Sequence, residues 1–352
     1  MFEGKTKEII ETSRFIYEHL GDEISKELYR QRMIYAMAGE KKGVLENVLS
    51  CQPSTKYMID SLSKTKKNYL YGAGIEGRWI AKIFLGYWKG FIDNDPQKQG
   101  TMIEGLEVFS PDILNVDGEY NKVIVTPTEY AKDIIISLMQ QGISKDKISD
   151  WGSTIQELRD GQYFDLPFLN SEEDEIFIDA GGFDGGSSLH FAKWAKGVEH
   201  IYIFEPDKNN ILLCRTNIEN ANMGEYTTIV EKGCWSKSTT LHFQAFGNHL
   251  SHICEEKLDD DEDIEVAAID EILQGNKVTF IKMDVESAEL EALKGAQNTI
   301  ITWKPKLSIC VYHKPEDIFT IPQLILQYNP NYTLYLRHYS YLDLAETVLY
   351  AI

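Results

Sequence analysis

The chain has 352 residues, 43% of them hydrophobic and 26% charged, with a formal net charge of −20. Such a composition fits a globular protein of two to three domains, and the acidity excludes the basic face that nucleic acid or an anionic membrane surface requires. No run approaches the ~18 apolar residues of a membrane helix, and the first ten residues lack a signal-peptide core, so a cytoplasmic protein with neither a membrane nor a nucleic-acid partner is expected.

From Lys7 to about Ser63 apolar residues recur at near-helical spacing, and Gly21-Asp22 separates a first helix from a second, with Asp22 as N-cap. No catalytic constellation lies in this segment, residues 1–64. His19 is expected to pack or to make a subunit contact, so homo-oligomerisation is one expectation.

A polar connector, Ser63-Lys64-Thr65-Lys66-Lys67, leads into a second segment, residues 65–152. The strand Asn68 to Tyr71 runs into Gly72, Gly74 and Gly77, which have dinucleotide spacing, and a helix from Arg78 to Leu85 follows. A second strand ends in Asp93, about 20 residues on, where an acid can bind a ribose. Further strands at Lys122 to Thr126 and Ile148 to Asp150 flank a helix from Tyr130 to Gln141. This is a small Rossmann-like unit without a clear catalytic base, and Asp93-Asn94-Asp95-Pro96 reads equally well as a plain turn.

Residues 153–352 form the third segment. After the acidic lead Ser171 to Glu175, the apolar run Ile176 to Ile178 ends in Asp179, followed by the turn Ala180-Gly181-Gly182-Phe183-Asp184-Gly185-Gly186 and a helix opened by Ser187-Ser188. Glycines let a backbone approach a ligand closely, and a helix start offers free N–H groups. The spacing Asp-x-Gly-x-x-x-Gly is not the dinucleotide one; an acid before the turn suits a ligand bearing an ammonium group, such as S-adenosylmethionine.

The next strand, His200 to Phe204, delivers Glu205 to its carboxyl end, placed to accept ribose hydroxyl hydrogens. A helix from Asp207 to Asn220 and a strand from Tyr226 to Val230 follow. Gly233 and Cys234 then stand where a loop borders an adenine, or form a simple turn. Leu241 to Phe246 alternates as an extra strand, and the acid run Asp259 to Asp263 reads as a solvated loop, lacking the glycine and spacing of a calcium loop.

The buried strand Val278 to Met283 ends in Asp284, and a helix is expected from Glu286 to Lys294, closed by Gly295. The strand Leu307 to Tyr312 delivers His313, and an antiparallel pair, Tyr332 to His338 with Glu346 to Ala351, ends the chain. The five cysteines, Cys51, Cys214, Cys234, Cys254 and Cys310, are scattered without a C-x-x-C, so reduced thiols are expected rather than a disulfide frame or a zinc knuckle.

Four ordered motifs make the third segment resemble the FkbM family of S-adenosylmethionine-dependent methyltransferases: Phe177-Ile178-Asp179-x-Gly181-x-x-x-Gly185, Phe204-Glu205-Pro206, Phe280 to Glu289, and Lys294-Gly295-Ala296 with Tyr312-His313-Lys314. The resemblance implies an α/β fold with the class I methyltransferase sheet, seven strands with the last antiparallel. It further implies that Asp179, Gly181 and Gly185, with Phe183 and Asp184 between them, cradle the methionine end of the cofactor, that Glu205 holds the ribose, and that a methyl group passes to a hydroxyl of a glycan, sugar precursor or secondary metabolite. One departure is Ser287, where the family usually has glycine after Asp-x-Glu.

Methyl transfer needs an acceptor held in line and a base for its proton. His313 is the first choice as base or acceptor orienter; Asp284 is the alternative, or with Glu286 a ligand of the cofactor amine or a divalent ion, and no metal site is assigned. Lys282 is expected to pair with one of these acids. Competing readings are a nicotinamide-linked (NAD) oxidoreductase using Gly72 to Gly77, and a noncatalytic cofactor-binding protein whose N-terminal helices meet a partner.

Overall fold

The computed structural model describes residues 2–39, 42–62, 64, 67–244, 252–254, 262–341 and 343–352. The chain forms two compact units: Met1–Tyr29, Tyr163–Arg337 and Glu346–Ile352 make one, Arg30–Gln162 and His338–Ala345 the other. This division differs from boundaries near residues 64 and 152, because the beginning of the chain counts with its end.

Four helices precede the first strand: α1 (Phe2–His19), α2 (Glu23–Ala38), α3 (Lys42–Ser50) and α4 (Pro53–Ser61). Asp22 caps α2 as expected, accepting from Ser25 N at 2.8 Å. The same turn is tied to the last part of the chain. Gly21 N donates to Leu334 O at 2.9 Å, Leu336 N to Ser25 Oγ at 2.9 Å, and Arg337 pairs with Asp22 at 2.6 Å. Helical periodicity cannot report such long-range pairing, which is why the helices look like one segment in sequence.

In the second unit β1 (Asn68–Tyr71), α5 (Ile75–Ile83), β2 (Trp88–Ile92), β3 (Met102–Ile103), β4 (Leu106–Phe109), α6 (Ile113–Val116), β5 (Lys122–Val125), α7 (Ala131–Gln140), β6 (Ile148–Asp150) and α8 (Trp151–Gly161) follow in order. The sheet runs β3-β4-β2-β1-β5-β6, parallel except for β3. Tyr69, Tyr71, Ile92, Val123 and Val125 pack with Leu114 and Leu138 into its core. The continuous burial of β1 is what a strand covered on both faces requires. A Cβ at Gly77 would lie 2.0 Å from Gly72 O, so this glycine lets α5 pack close on β1.

The other unit holds β7 (Glu175–Ala180), α9 (Gly186–Trp194), β8 (Val198–Phe204), α10 (Lys208–Asn220), β9 (Thr227–Val230), β10 (Gly233–Cys234), β11 (Thr239–Gln244), β12 (His252–Cys254), β13 (Glu262–Ala267), α11 (Ile269–Leu273), β14 (Phe280–Met283), α12 (Glu289–Lys294), α13 (Gln297–Trp303), β15 (Lys306–Cys310), α14 (Asp317–Tyr328), β16 (Leu334–His338) and β17 (Thr347–Ala351). Its main sheet has the order β16-β17-β15-β14-β7-β8-β9, with β17 antiparallel to β15 and the β14, β7, β8 and β9 pairings parallel. This is the class I methyltransferase sheet, with the strand order reversing between β7 and β14. Under it Phe177 stacks on Phe191 at 4.0 Å between ring centres, and Phe164 and Phe280 close round them.

Two sequence expectations are corrected here. Glu262 and Asp263 are not loop residues: they begin β13, opposite Phe243 and His242 of β11, while positions 245–246 of the expected strand and 259–261 of the acid run lie outside the described residues. The helix expected from Glu286 begins only at Glu289, because Glu286 and Ser287 hold φ of 50° and 78°, values no right-handed helix accommodates. Among the described residues no helix is long and apolar enough to cross a membrane.

Candidate active site

Strand β7 ends at Ala180, and the glycine turn then doubles back toward α9. Gly181 has φ 79°, and a Cβ there would lie 1.8 Å from the carbonyl oxygen of Asp284. Glycine is therefore required twice over, by conformation and by contact. Phe183 also takes positive φ, 49°, and its ring is 60% exposed at the mouth of the turn. Its N–H donates to Glu205 Oε2 at 2.9 Å. Asp184 Oδ1 accepts from Gly186 N at 2.9 Å, closing the turn onto α9, and Gly185 takes φ 82° before the helix.

Glu205 follows β8 at its carboxyl end. Its Oε1 accepts from Asp207 N at 2.9 Å and Asn210 Nδ2 at 3.3 Å, and burial pushes its pKa up against these bonds. Gly233 and Cys234 form β10, paired with β13 and buried; burial also pushes the Cys234 thiol up.

Asp179 is placed differently from the expectation that it faces a ligand ammonium. It is fully buried, stands in register beside Lys282 of β14, and has Oδ1 3.1 Å from Lys282 Nζ. Its Oδ2 accepts from Ser187 Oγ at 2.6 Å and Ser188 Oγ at 2.7 Å. The charge is thus met inside the protein, and the carboxylate ties β7 to α9 and β14. Burial works against the Lys282 charge, but Asp179 and Asp284 outweigh it and hold the ammonium at a pKa of about 12. Lys282 pairs with an acid as expected, but the acid is Asp179 and not Asp284 or Glu286.

The third group gathers at the carboxyl ends of β14 and β15. Asp284 Oδ2 accepts from Tyr163 OH at 2.9 Å, and Oδ1 stands 3.3 Å from Tyr312 OH. His313 Nε2 lies 3.2 Å from Glu286 Oε2 and 3.6 Å from Asp284 Oδ1. On the other edge of the ring, Nδ1 lies 2.9 Å from Oε1 of the buried Glu289. Burial alone would lower the pKa of His313, but the carboxylates of Glu286, Glu289 and Asp284 raise it to about 11. These carboxylates favour the protonated ring.

The structure thus brings Asp284 and Glu286, two positions apart, together with His313 from the end of the next strand, and sets Asp284 against Gly181. Tyr163 and Glu289 belong to the same cluster and escape a sequence reading. Tyr163 sits in a polar lead segment and reaches Asp284 through a turn with φ 75°, for which no local signal exists. Glu289 looks like an ordinary helix residue, yet it is 1% exposed and accepts from Val285 N at 2.9 Å.

The second glycine turn is built otherwise. Asp93 Oδ2 accepts from Ala73 N at 2.9 Å and pairs with Lys98 at 3.0 Å, while Oδ1 accepts from Asp95 N at 2.9 Å. Asp93 is engaged in fastening its own turn to Gly72, Gly74 and Gly77. Burial opposes the Asp93 charge, but these donors prevail and its pKa is lowered.

Residues 179–342 match the methyltransferase FkbM domain. Among solved structures, the chain is similar to methyltransferase FkbM from Methylobacillus flagellatus, at 18% identity and a TM-score of 0.50 over 94% of this chain and 99% of that one. Fibrillarin from Aeropyrum pernix, solved with bound S-adenosyl-L-methionine, is matched at 11% identity and a TM-score of 0.36 over 58% of this chain and 81% of that one. An rRNA methylase from Streptococcus thermophilus is matched at 10% identity and a TM-score of 0.32 over 57% and 93%. No curated protein matches. The class I sheet order and the glycine turn at its topological switch agree with the match of residues 179–342 to the methyltransferase FkbM domain.

Proposed function

We propose that the protein transfers a methyl group from S-adenosylmethionine to a hydroxyl of a glycan, sugar precursor or secondary metabolite. The observation that carries this reading is the abutment of Gly181 against the backbone of Asp284. It sets a cofactor-type turn and a cluster of proton-handling groups at one sheet edge, where open α/β sheets bind ligands.

The residues present fit the cofactor. Glu205 receives three N–H donors, and a carboxylate offers about four acceptor sites, so capacity is left for a ribose hydroxyl. Phe183 adds an exposed ring beside it, and the N-terminal turn of α9 offers N–H groups near Asp184 and Gly185. When bound, S-adenosylmethionine supplies an electrophilic methyl group.

The chain's own residues orient the acceptor and manage its proton. Tyr163 and Tyr312 fix the Asp284 carboxylate. His313, backed by Glu289, presents a donor toward an acceptor oxygen, and Glu286, with its side chain 38% exposed, is the carboxylate most open to receive the proton. Of the two roles the sequence leaves to His313, base or acceptor orienter, this reading takes the orienter, because its carboxylate neighbours raise its pKa.

Calorimetry with S-adenosylhomocysteine, S-adenosylmethionine and NAD tests the cofactor. Heat with the adenosyl compounds and none with NAD is expected; the reverse would transfer the activity to the Gly72 turn, against the internal engagement of Asp93. Transfer of labelled methyl to hydroxylated sugars then tests the acceptor class, and transfer confined to amines would exclude the hydroxyl reading.

A further inference from the structure

One ligand atom each from Asp284, Glu286 and His313 lies within 4.8 Å of the others. We propose that these three residues form a divalent-cation site, for an ion of the Mn²⁺ class, which holds the acceptor oxygen. The acceptor clause rests on the methyl-transfer reading; binding of the ion does not.

The donor set is one imidazole nitrogen and two carboxylates. Mixed nitrogen and oxygen ligands suit first-row divalent ions, whereas a calcium site would be built from oxygens alone and a soft-metal site from sulfur. Three protein ligands leave coordination positions open for water or a hydroxyl.

The surroundings orient those ligands toward a common point. Glu289, buried beneath the ring, stands 2.9 Å from Nδ1 and accepts from Val285 N. A carboxylate behind a histidine in this way directs the opposite nitrogen at a metal. Two phenol hydroxyls, from Tyr163 and Tyr312, hold the Asp284 carboxylate. The left-handed turn at Glu286 and Ser287 returns Glu286 to within reach of His313.

A second observation points to a ligand. The His313 side chain is only 8% exposed, and although carboxylates stand near both ring nitrogens, neither nitrogen completes an aligned hydrogen bond. Buried polar atoms are rarely left so. The neighbouring lysines are directed elsewhere: Lys282 Nζ donates to Gly181 O at 2.7 Å and pairs with Asp179, and Lys314 Nζ donates to Ser287 O at 2.7 Å. A cation at Nε2 would replace the proton there, satisfy that nitrogen and balance Asp284 and Glu286 together; in the loaded site the ion, and not the ring proton, would orient the acceptor.

The test is Mn²⁺ titration of chelator-treated full-length protein, followed by electron paramagnetic resonance and calorimetry, with and without S-adenosylhomocysteine. One saturable Mn²⁺ per chain is expected. His313→Gln and Glu286→Gln should each weaken it by about 100-fold, and Glu289→Gln by roughly 10- to 100-fold through loss of the backing carboxylate. No saturable site in the wild type, or equal Mn²⁺ binding in His313→Gln and Glu286→Gln, would overturn the proposal. Glu286 is the more open residue, so its variant keeps the test decisive if His313→Gln does not fold. Mn²⁺ binding without any heat from S-adenosylhomocysteine would remove the methyl-transfer reading and keep the ion site; the converse would remove the site alone.

Discussion

Asp179 and Lys282 face each other on adjacent parallel strands, 3.1 Å apart, with side chains 0% and 4% exposed. A buried pair of this kind contributes little net stability compared with an apolar pair, but breaking it strands a charge and costs about 3–5 kcal/mol. Lys282→Met should therefore lower unfolding free energy by about that amount, read by urea denaturation. The double variant Asp179→Asn with Lys282→Met should recover at least 1 kcal/mol of it, a coupling of ordinary size for neighbours in contact. Strictly additive losses would mean that the two charges do not interact.

Gly181 and Gly185 share positive φ but differ in their surroundings. A Cβ at Gly181 meets a backbone carbonyl at 1.8 Å, whereas one at Gly185 meets the Cys214 sulfur at 3.1 Å. Backbone cannot yield as a side chain can, so Gly181→Ala should cost about 3 kcal/mol or more and Gly185→Ala about 1–2 kcal/mol. Affinity for S-adenosylhomocysteine should fall in the same order. Equal effects in both assays would contradict the assigned contact.

Ser287 occupies the family's glycine position with φ 78°. Ser287→Gly relieves about 1–2 kcal/mol of left-handed strain and adds about 0.5–1 kcal/mol of unfolded-chain entropy. Strain relief is the larger effect, so a gain of about 0.5–1 kcal/mol is expected in thermal or chemical denaturation. The Lys314 bond to the Ser287 carbonyl uses backbone and should survive. A loss of stability would show that the hydroxyl makes an unrecognised contribution.

His338 is buried, and burial first, with the charge of Arg32 second, depresses its pKa to about 3. The unfolded chain takes up a proton near pH 6.5 that the folded chain refuses. Stability is thus fully present above pH 6.5 and is lost as pH falls toward 3, by about 4–5 kcal/mol over the window. His338→Phe should flatten that part of the stability profile, measured by denaturant titration at stepped pH. An unchanged slope would assign the acid sensitivity to other groups.

Much of the glycine-turn side of the candidate site is legible in the residues. The apolar run before Asp179, the glycines after it and Glu205 at the next strand end give strand, turn and second strand in order, because each is a local pattern. What escapes is set by distance or by dihedral angle. Asp179 announces an acid at a strand end, but only the β7–β14 register reveals that Lys282 meets it. Glu286 has good helix propensity, and the delay of α12 to Glu289 depends on a left-handed turn that residue types do not encode. Strand β13 does carry an alternating signal, with Ile264 and Val266 buried and Asp263 and Glu265 exposed, but the acids before it dominate a reading by composition. Tyr163 joins the cluster by tertiary contact alone.

The pairing of Asp22 with Arg337 spans 315 positions of chain. During synthesis the turn after α1 leaves the ribosome long before β16, the strand that receives it. Domains generally fold as units as they emerge, yet this unit must wait, with the turn after α1 unpartnered, until β16 has been made. Both units draw on residues beyond Arg337, Glu346–Ile352 in one and His338–Ala345 in the other, so neither is complete until those residues are made.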